Sequence, residues 1–516
     1  MSPIGIMPLL TWIGKEAVVN HDKQVPFRLL KKIKAASVGE NSQNLIIHGD
    51  NLEALKALMP YYQGKIKCIY IDPPYNTGNE GWIYNDKVNS PKIKKWLGKV
   101  VGGEAEDLCR HDKWLSMMYP RLRLLRELLS EDGAIFVSIG DDEQAQLKLL
   151  MDEIFYEENH LANLIWKKKQ GGGNDSTNFV VEHEYILAYS KDLELFHLNL
   201  DSGHVLDDAL YPFKDEQGEY GLVTLDKSSI RQSESLIFDI KGPDGTIYKP
   251  RIIKGKRSCW RWGKDKVKED YKKLVFKNGK VYTKYHRPEG VAPKTLLVDT
   301  RFGRTETGKE KLVSIMGDNI FSYPKPVELI SHLLNISCDK DSIILDSFAG
   351  SGTTAHAVLD LNKADNGNRK FILIEMEDKV AKDITAERIK RAIKKFEYQS
   401  DFEFCELDKP LFNEEGKIEE ECTFEQLAQY IYFTETQTNL DKKQIKGNFL
   451  SNLNETDYYL IYKERDKNVL TKSFLKSIKR DDNKKVVYAD RCLIDEENLE
   501  KHNIQFKQIP YEVRIY

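Results

Sequence analysis

Residues Lys67–Glu80 read K-C-I-Y-I-D-P-P-Y-N-T-G-N-E. The apolar run Cys68–Ile71 has the length and continuity of a strand buried on both faces, as in a parallel sheet. It stops at a carboxylate followed by two prolines. Proline has no N–H and a fixed φ, so Pro73 and Pro74 cannot prolong a ladder and instead stiffen the turn. The pattern therefore places Asp72, the Pro73 carbonyl and the Tyr75 ring at the carboxyl end of a strand, which is where open α/β sheets bind ligands. A carboxylate, a carbonyl and an aromatic face together suit a planar ring that carries an amino group.

A second turn of this kind lies far downstream. Ile343–Val358 reads I-I-L-D-S-F-A-G-S-G-T-T-A-H-A-V: a buried strand, a tight turn with Gly350 and Gly352, and a helix opening at Thr353. The glycines admit close approach of a ligand, and the helix start offers unpaired N–H groups. No Lys follows the second glycine, so it is not a nucleotide-triphosphate loop. One strand later Phe371–Ile374 ends at Glu375, an acid placed to hold a ribose hydroxyl pair. A lone G-x-G is a plain turn. Joined to Glu375 and to the Asp72 turn, it reads as half of a nucleoside-cofactor pocket.

At 516 residues the chain exceeds one ordinary core. Helical and strand-like periods alternate up to about residue 190, and the predicted elements include strands over Asn44–His48, Ala134–Ile139, Leu161–Trp166 and Tyr185–Tyr189 and helices over Leu52–Met59 and Leu115–Leu129. The glycine-rich Q-G-G-G-N-D-S-T-N between the last two strands reads as a loop. From Lys191 the helical period vanishes until about Pro326, then returns with a helix from Val327 and a long helix over Lys379–Phe396. Four segments follow: 1–190, an insertion at 191–322, 323–400, and a small α/β C-terminal domain at 401–516. No apolar stretch spans a bilayer, and Met1–Leu30 lacks the apolar core of a signal peptide. Seven scattered cysteines form no ligand-spaced pair, so neither a metal site nor a disulfide framework is expected, and the expected compartment is the reducing cytoplasm.

The net charge is −3, so contact with a polyanion must come from a local basic surface. The insertion offers Lys249–Lys268, with Lys254, Lys256, Arg257 and Arg261 interleaved with Trp260 and Trp262. Cations neutralise phosphates and an indole can stack or wedge; equally, this is a solvated charged hairpin closing a small tryptophan core. Arg121, Arg123 and Arg126 read as a helix face or subunit contact, and His111 and His356 as structural.

D-P-P-Y-N at 72–76, F-A-G-S-G at 348–352, Y-P-K-P-V-E-L-I at 323–330 and H-E-Y-I-L-A-Y at 183–189 resemble the amino-methylating DNA methyltransferases. The catalytic motif precedes the cofactor motif, as in the circularly permuted β class. The opening T-W-I-G-K-E-A-V-V-N-H looks most like the modification subunit of Type III restriction–modification systems; the residues after about 400 match only loosely. The resemblance implies a Rossmann-like sheet, with the insertion as a target-recognition domain. It further implies S-adenosylmethionine held by Phe348, Ala349, Gly350 and Gly352, with Glu375 on the ribose, Asp346 and Lys325 at the methionine end, and Asp50 facing the cofactor adenine. Ser347 departs from the proline common in relatives. Asp72, Pro73, Pro74 and Tyr75 would act on adenine N6 in duplex DNA, the base being flipped out of the helix. A homodimer and an ATP-dependent restriction subunit are the implied partners.

An exocyclic amine is a poor nucleophile because its lone pair is delocalised into the ring. Asp72 and the Pro73 carbonyl can accept its two hydrogens and so aim the lone pair at a methyl group, a proximity effect worth up to about 7–11 kcal/mol. Tyr75 would stack on the base at roughly 1–3 kcal/mol, and Phe348 would offer an aromatic face to the sulfonium. Two other classes share parts of this pattern: an RNA- or protein-amide methyltransferase, and a non-catalytic specificity subunit that only binds DNA.

Overall fold

The computed structural model describes residues 10–40, 42–77, 110–171, 179–203, 207–229, 233–253, 255–411, 418, 422–436, 438–463, 467–478 and 481–509. The expected glycine-rich loop and the polar stretch after the Asp72 turn fall largely outside them, as does Lys254. Two compact units result: Leu200–Pro293, and the remainder of the chain.

The larger unit is built on a ten-stranded sheet. In chain order its strands are β1 (Arg28–Lys32), β2 (Leu45–His48), β3 (Ile66–Ile71), β4 (Leu129–Ile139), β5 (His160–Lys167), β6 (His183–Ser190), β7 (Leu296–Leu297), β8 (Ile343–Asp346), β9 (Lys370–Glu375) and β10 (Glu403–Pro410). Across the sheet they run β1-β10-β2-β9-β8-β3-β4-β6-β5-β7. The run from β10 to β4 is parallel, while β1 and β6 are antiparallel to their inner neighbours.

Period-two alternation sends these strands into two cores. Ile47, Ile69, Ile71, Ile135, Val137, Leu345 and Ile372 face one side, where they meet helices α1 (Asn51–Tyr62), α2 (Arg110–Leu128) and α3 (Gln144–Phe155). Ile46, Cys68, Tyr70, Phe136, Ile344, Phe371 and Leu373 face the other. There they meet α4 (Val327–Ser337), α5 (Thr353–Asp365) and α6 (Glu387–Lys395). Both faces are covered, which explains the near-continuous apolar runs in the central strands. The chain leaves β3 towards β4 but leaves β8 towards β9, so strand order reverses between β3 and β8. That is a topological switch point, the position at which open α/β sheets form their ligand crevice.

Three expectations are revised. The C-terminal boundary at 401 moves, because Glu403–Pro410 lies inside the large sheet between β1 and β2. The insertion contracts from 191–322 to Leu200–Pro293; Leu296–Leu297 pairs with β5, and Ile315 of the helix Thr305–Met316 joins the sheet's core. Loss of helical period marked the loops that flank the insertion as well as the insertion itself. The long helix expected from Lys379 opens instead as a π turn, Val380–Ala386, before α6. Beyond 411, strands Phe449–Leu453, Thr456–Leu460, Lys484–Ala489 and Ile504–Gln508 form a four-stranded sheet beside the helix Phe424–Thr436.

The unit Leu200–Pro293 has its own core of Leu225, Ile240, Trp260, Val267, Leu274 and Val281. A four-stranded antiparallel sheet carries it. Its buried Asp226 is clasped by Arg251, with Nη2 to Oδ1 at 2.7 Å and Nε to Oδ2 at 2.8 Å.

Candidate active site

The turn after β3 is braced from several sides. The Trp114 indole donates to the Pro74 carbonyl at 2.7 Å. Asn76 adopts φ 58 and is 4% exposed; its amide reaches the Arg110 carbonyl and the Glu143 carboxylate, which also holds His111 Nδ1 at 2.7 Å. Asparagine tolerates left-handed backbone better than most residues, which suits the fifth residue of the motif to this turn. Gly140 backs the Tyr75 ring: a Cβ at Gly140 would stand 3.1 Å from Tyr75 Cδ2.

Asp72 emerges from this turn onto a lysine contributed from 253 residues away. The Lys325 ammonium donates to Asp72 Oδ1 at 2.7 Å, Asp72 Oδ2 at 2.6 Å and the Tyr75 hydroxyl at 2.9 Å. The Tyr75 hydroxyl in turn donates to Glu184 Oε2 at 3.0 Å, and Lys168 donates to Glu184 Oε1 at 3.2 Å. Lys325 Nζ is itself 3.4 Å from Glu184 Oε2. Burial pushes the Asp72 carboxyl above its usual range, against the pull of Lys325. Burial also pushes Glu184 up, but Lys325 and Lys168 outweigh it and hold this acid below its usual range. Burial lowers Lys325, and the two carboxylates more than restore it. Lys325, expected at the methionine end of a cofactor, thus has its ammonium on Asp72, because two buried carboxylates outcompete any neutral partner. In the sequence Glu184 stands only within H-E-Y-I-L-A-Y; an acid at the start of an otherwise apolar buried strand is the signal that marks it.

The glycine turn after β8 sits on the adjacent strand, with Ile344 and Leu345 opposite Cys68 and Ile69. Asp346 is 2% exposed and accepts from the Phe348 amide at 3.0 Å and the Thr354 hydroxyl. Burial pushes its carboxyl up to about 7. Glu375 Oε2 accepts from the Gly350 amide at 3.0 Å and Oε1 from the Glu377 amide at 2.9 Å. Gly350 and Gly352 have φ 52 and 76, and a Cβ on Gly352 would lie 3.2 Å from Thr385 Cγ2. Behind the turn, the buried Arg388 donates to the Ser351 carbonyl at 3.0 Å, its hydroxyl at 2.8 Å and the Thr353 hydroxyl at 2.9 Å. The Thr353 hydroxyl donates to the Lys325 carbonyl at 3.1 Å, tying the glycine turn to the segment that carries Lys325. The π turn and Arg388 were invisible in the sequence, where they read as ordinary helix.

Asp50, expected to face the cofactor adenine, caps α1: Oδ1 accepts from the Leu52 amide at 2.9 Å and the Glu53 amide at 3.2 Å. Its Oδ2 lies 3.4 Å from Arg121 Nη2. Arg121 is no subunit-contact residue; it is 2% exposed and donates to Asn51 Oδ1 at 2.5 Å and the Met117 carbonyl at 2.7 Å. Asn51 reaches the Ser347 carbonyl at 3.4 Å. Of the basic run in the insertion, Trp260 is 2% exposed and donates its N–H to the Phe238 carbonyl at 2.7 Å, so it is core and not a stacking surface. Lys256, Arg257 and Arg261 are exposed, and Trp262 is half-buried beneath Lys266.

The family model described as DNA methylase matches residues 66–387, from β3 through α6's first residue. The EcoPI Mod subunit of Escherichia phage P1, a Type III restriction-modification enzyme, is 34% identical over 451 residues, covering 76% of this chain and 69% of that protein. The StyLTI Mod subunit of Salmonella typhimurium is 35% identical over 376 residues, covering 68% of this chain and 55% of its own length. The Type II methyltransferase M.KpnI of Klebsiella pneumoniae is 33% identical over 374 residues, covering 68% of this chain and 85% of that protein.

Proposed function

The chain belongs to the DNA methylase family and is an adenine-N6 DNA methyltransferase, and from that premise we propose the roles of its residues, cofactor and partners. We infer that it serves as the modification and recognition subunit of a Type III restriction–modification system, in the permuted motif order in which the target-base strand β3 precedes the cofactor strand β8.

The observation that carries the reading is the adjacency of Asp72 and the Asp346–Gly352 turn at the reversal of strand order between β3 and β8. S-adenosylmethionine supplies an electrophilic methyl group when bound. The turn suits it. Asp346 is a buried acid without a cationic partner among the contacts above, as an incoming α-ammonium requires. Gly350 and Gly352 hold the left-handed backbone that this tight turn needs. Glu375, whose oxygens accept from the Gly350 and Glu377 amides, is the acid at the end of β9 that would face the ribose hydroxyls. Phe348, Ala349 and Gly350 complete this wall.

On the other side, Asp72 and the Pro73 carbonyl accept the two N6 hydrogens of adenine and hold the nitrogen lone pair in line for attack. Asp72 takes up the proton only as the N–C bond forms, when that proton has become acidic. Fixed alignment, rather than basicity, provides the acceleration. Tyr75, backed by Gly140, presents its ring to the flipped base.

DNA contact falls to the insertion. Leu200–Pro293 carries 19 Lys and Arg against 14 Asp and Glu, a net +5 within a chain of net −3. Lys256, Arg257 and Arg261 are its exposed candidates, with Trp262 beside them. A homodimer and an ATP-dependent restriction subunit complete the proposal.

Mapping modified bases in DNA from cells expressing the chain tests all of this together. N6-methyladenine confined to one short sequence is expected. Unmodified DNA, or methyl label recovered in RNA or protein, would overturn it in favour of a specificity subunit or an amide methyltransferase.

A further inference from the structure

We propose that Glu184 is a positioning residue that receives Lys325 when the target adenine displaces it from Asp72. The inference rests on the reading of Asp72 as the acceptor of the adenine N6 hydrogens.

The geometry poses a problem that the proposed reaction alone does not solve. Both oxygens of Asp72, the groups meant for an amine, are held by an amine already: the Lys325 ammonium, at 2.7 and 2.6 Å. The lysine occupies the substrate's donor position. A neutral adenine must displace a cation from a buried carboxylate, and a buried ammonium stripped of its counter-ion is strongly disfavoured. The displacement is feasible only where a second acid already stands within reach of the same nitrogen.

Glu184 is that acid. Its Oε2 is 3.4 Å from Lys325 Nζ, too long for the best charge-assisted hydrogen bond, and a swing of the ammonium away from Asp72 towards Glu184 completes one. The Tyr75 hydroxyl bridges the lysine and Glu184, accepting from Lys325 at 2.9 Å and donating to Glu184 at 3.0 Å, so the lysine keeps one contact throughout the move. Lys168 on Oε1, together with Lys325, holds Glu184 ionised and therefore ready to receive it. Two acids and two lysines make the cluster neutral, and it stays neutral when an uncharged base enters. No proton moves in this step; the ammonium only changes its principal partner. Once on Glu184 the ammonium no longer blocks Asp72, but remains near enough to favour its ionised form.

The test uses the intact protein and a duplex containing the mapped target site with its target adenine retained, 2-aminopurine at the neighbouring position to report the flipping of that adenine, and S-adenosylhomocysteine filling the cofactor pocket. Glu184→Gln leaves Lys325 with Asp72 as its only acid of this pair, so the lysine competes more strongly with the base. The flipped fraction and kcat/KM for DNA are expected to fall about tenfold, with S-adenosylmethionine affinity unchanged by titration calorimetry. Removing the lysine removes the competition: Glu184→Gln added to Lys325→Met should cost no more than Lys325→Met alone. Equal loss in both backgrounds, an unchanged flipped fraction, or a parallel loss of cofactor affinity would overturn the inference. Glu184→Asp, which withdraws the charge by one methylene, carries the same comparison if the glutamine variant does not fold. A wild-type protein that methylates no DNA would refute the reading of Asp72 instead.

Discussion

The hydroxyl of Thr385, in the π turn before α6, donates to the carbonyl of Gly350 at 2.6 Å, so the helix that follows β9 clamps the glycine turn that follows β8. π turns insert one extra residue per turn and recur where a helix must present a side chain off its usual face. Here that side chain also sets the space around Gly352.

Gly352→Ala should therefore harm the protein twice. The position has φ +76, where an L-residue costs about 1–2 kcal/mol, and the new methyl group would stand 3.2 Å from Thr385 Cγ2. Thermal denaturation should show a lower midpoint, and calorimetry a weaker S-adenosylmethionine affinity; an unchanged affinity would mean that this turn does not line the cofactor.

Asp72→Ala should abolish methyl transfer while leaving cofactor affinity within a few fold, because Asp72 faces Lys325 and not the glycine turn. Filter-bound label from tritiated S-adenosylmethionine measures the first quantity and calorimetry the second. A loss of cofactor binding instead would mean that the two pockets have been exchanged.

Asp346 gives a pH dependence of known sign. Burial raises its carboxyl from the ordinary range to about 7, so the folded protein binds more protons than the unfolded chain between pH 4 and 7. Stability from this group is full below pH 4 and declines as pH rises towards 7. A cationic ligand reverses the preference by favouring the carboxylate. S-adenosylmethionine affinity should accordingly weaken as pH falls from 7 to 5.5, with proton release on binding visible in buffers of different ionisation enthalpy. Asp346→Asn should lose both effects.

Arg121→Met should be the most damaging change away from the chemistry. It would leave Asn51 Oδ1 without the Arg121 donor, at about 1–3 kcal/mol, and would remove the side-chain bond to the Met117 carbonyl. It would also loosen the Asn51 contact with the Ser347 carbonyl. Chemical denaturation should report the loss directly.

Ser347→Ala should go the other way. The Ser347 hydroxyl is buried, with the residue 1% exposed, and has no hydrogen-bond partner among the described residues. Removing it should hold the unfolding free energy or raise it by up to about 1 kcal/mol, read as an unchanged or higher denaturation midpoint.

Much of this arrangement was legible in advance because it is local. Cys68–Ile71 could only be a buried strand, the prolines after Asp72 could only end it, and the spacing of Gly350, Gly352 and Glu375 announced a turn between two parallel strands. The three central strands were expected within two residues of where they lie. Glu403–Pro410 was missed because its alternation of Glu, Asp and Lys with apolar residues looks the same in a small separate domain as in a large sheet. Trp260 was ambiguous for a related reason: an indole among cations is equally suited to a phosphate surface and to a small core, and only packing distinguishes the two.

The sequence by itself determined the two turns, their strand-end positions and the residue types each presents, since these follow from backbone chemistry within about ten residues. Tertiary structure alone decided which charges meet. That Lys325 reaches Asp72, that Glu184 stands 3.4 Å behind it, and that Arg121 is buried beside Asp50 all depend on contacts between segments 71 to 253 residues apart. Pairing energies of buried charges vary steeply with distance and solvent exclusion, and neither quantity is written along the chain.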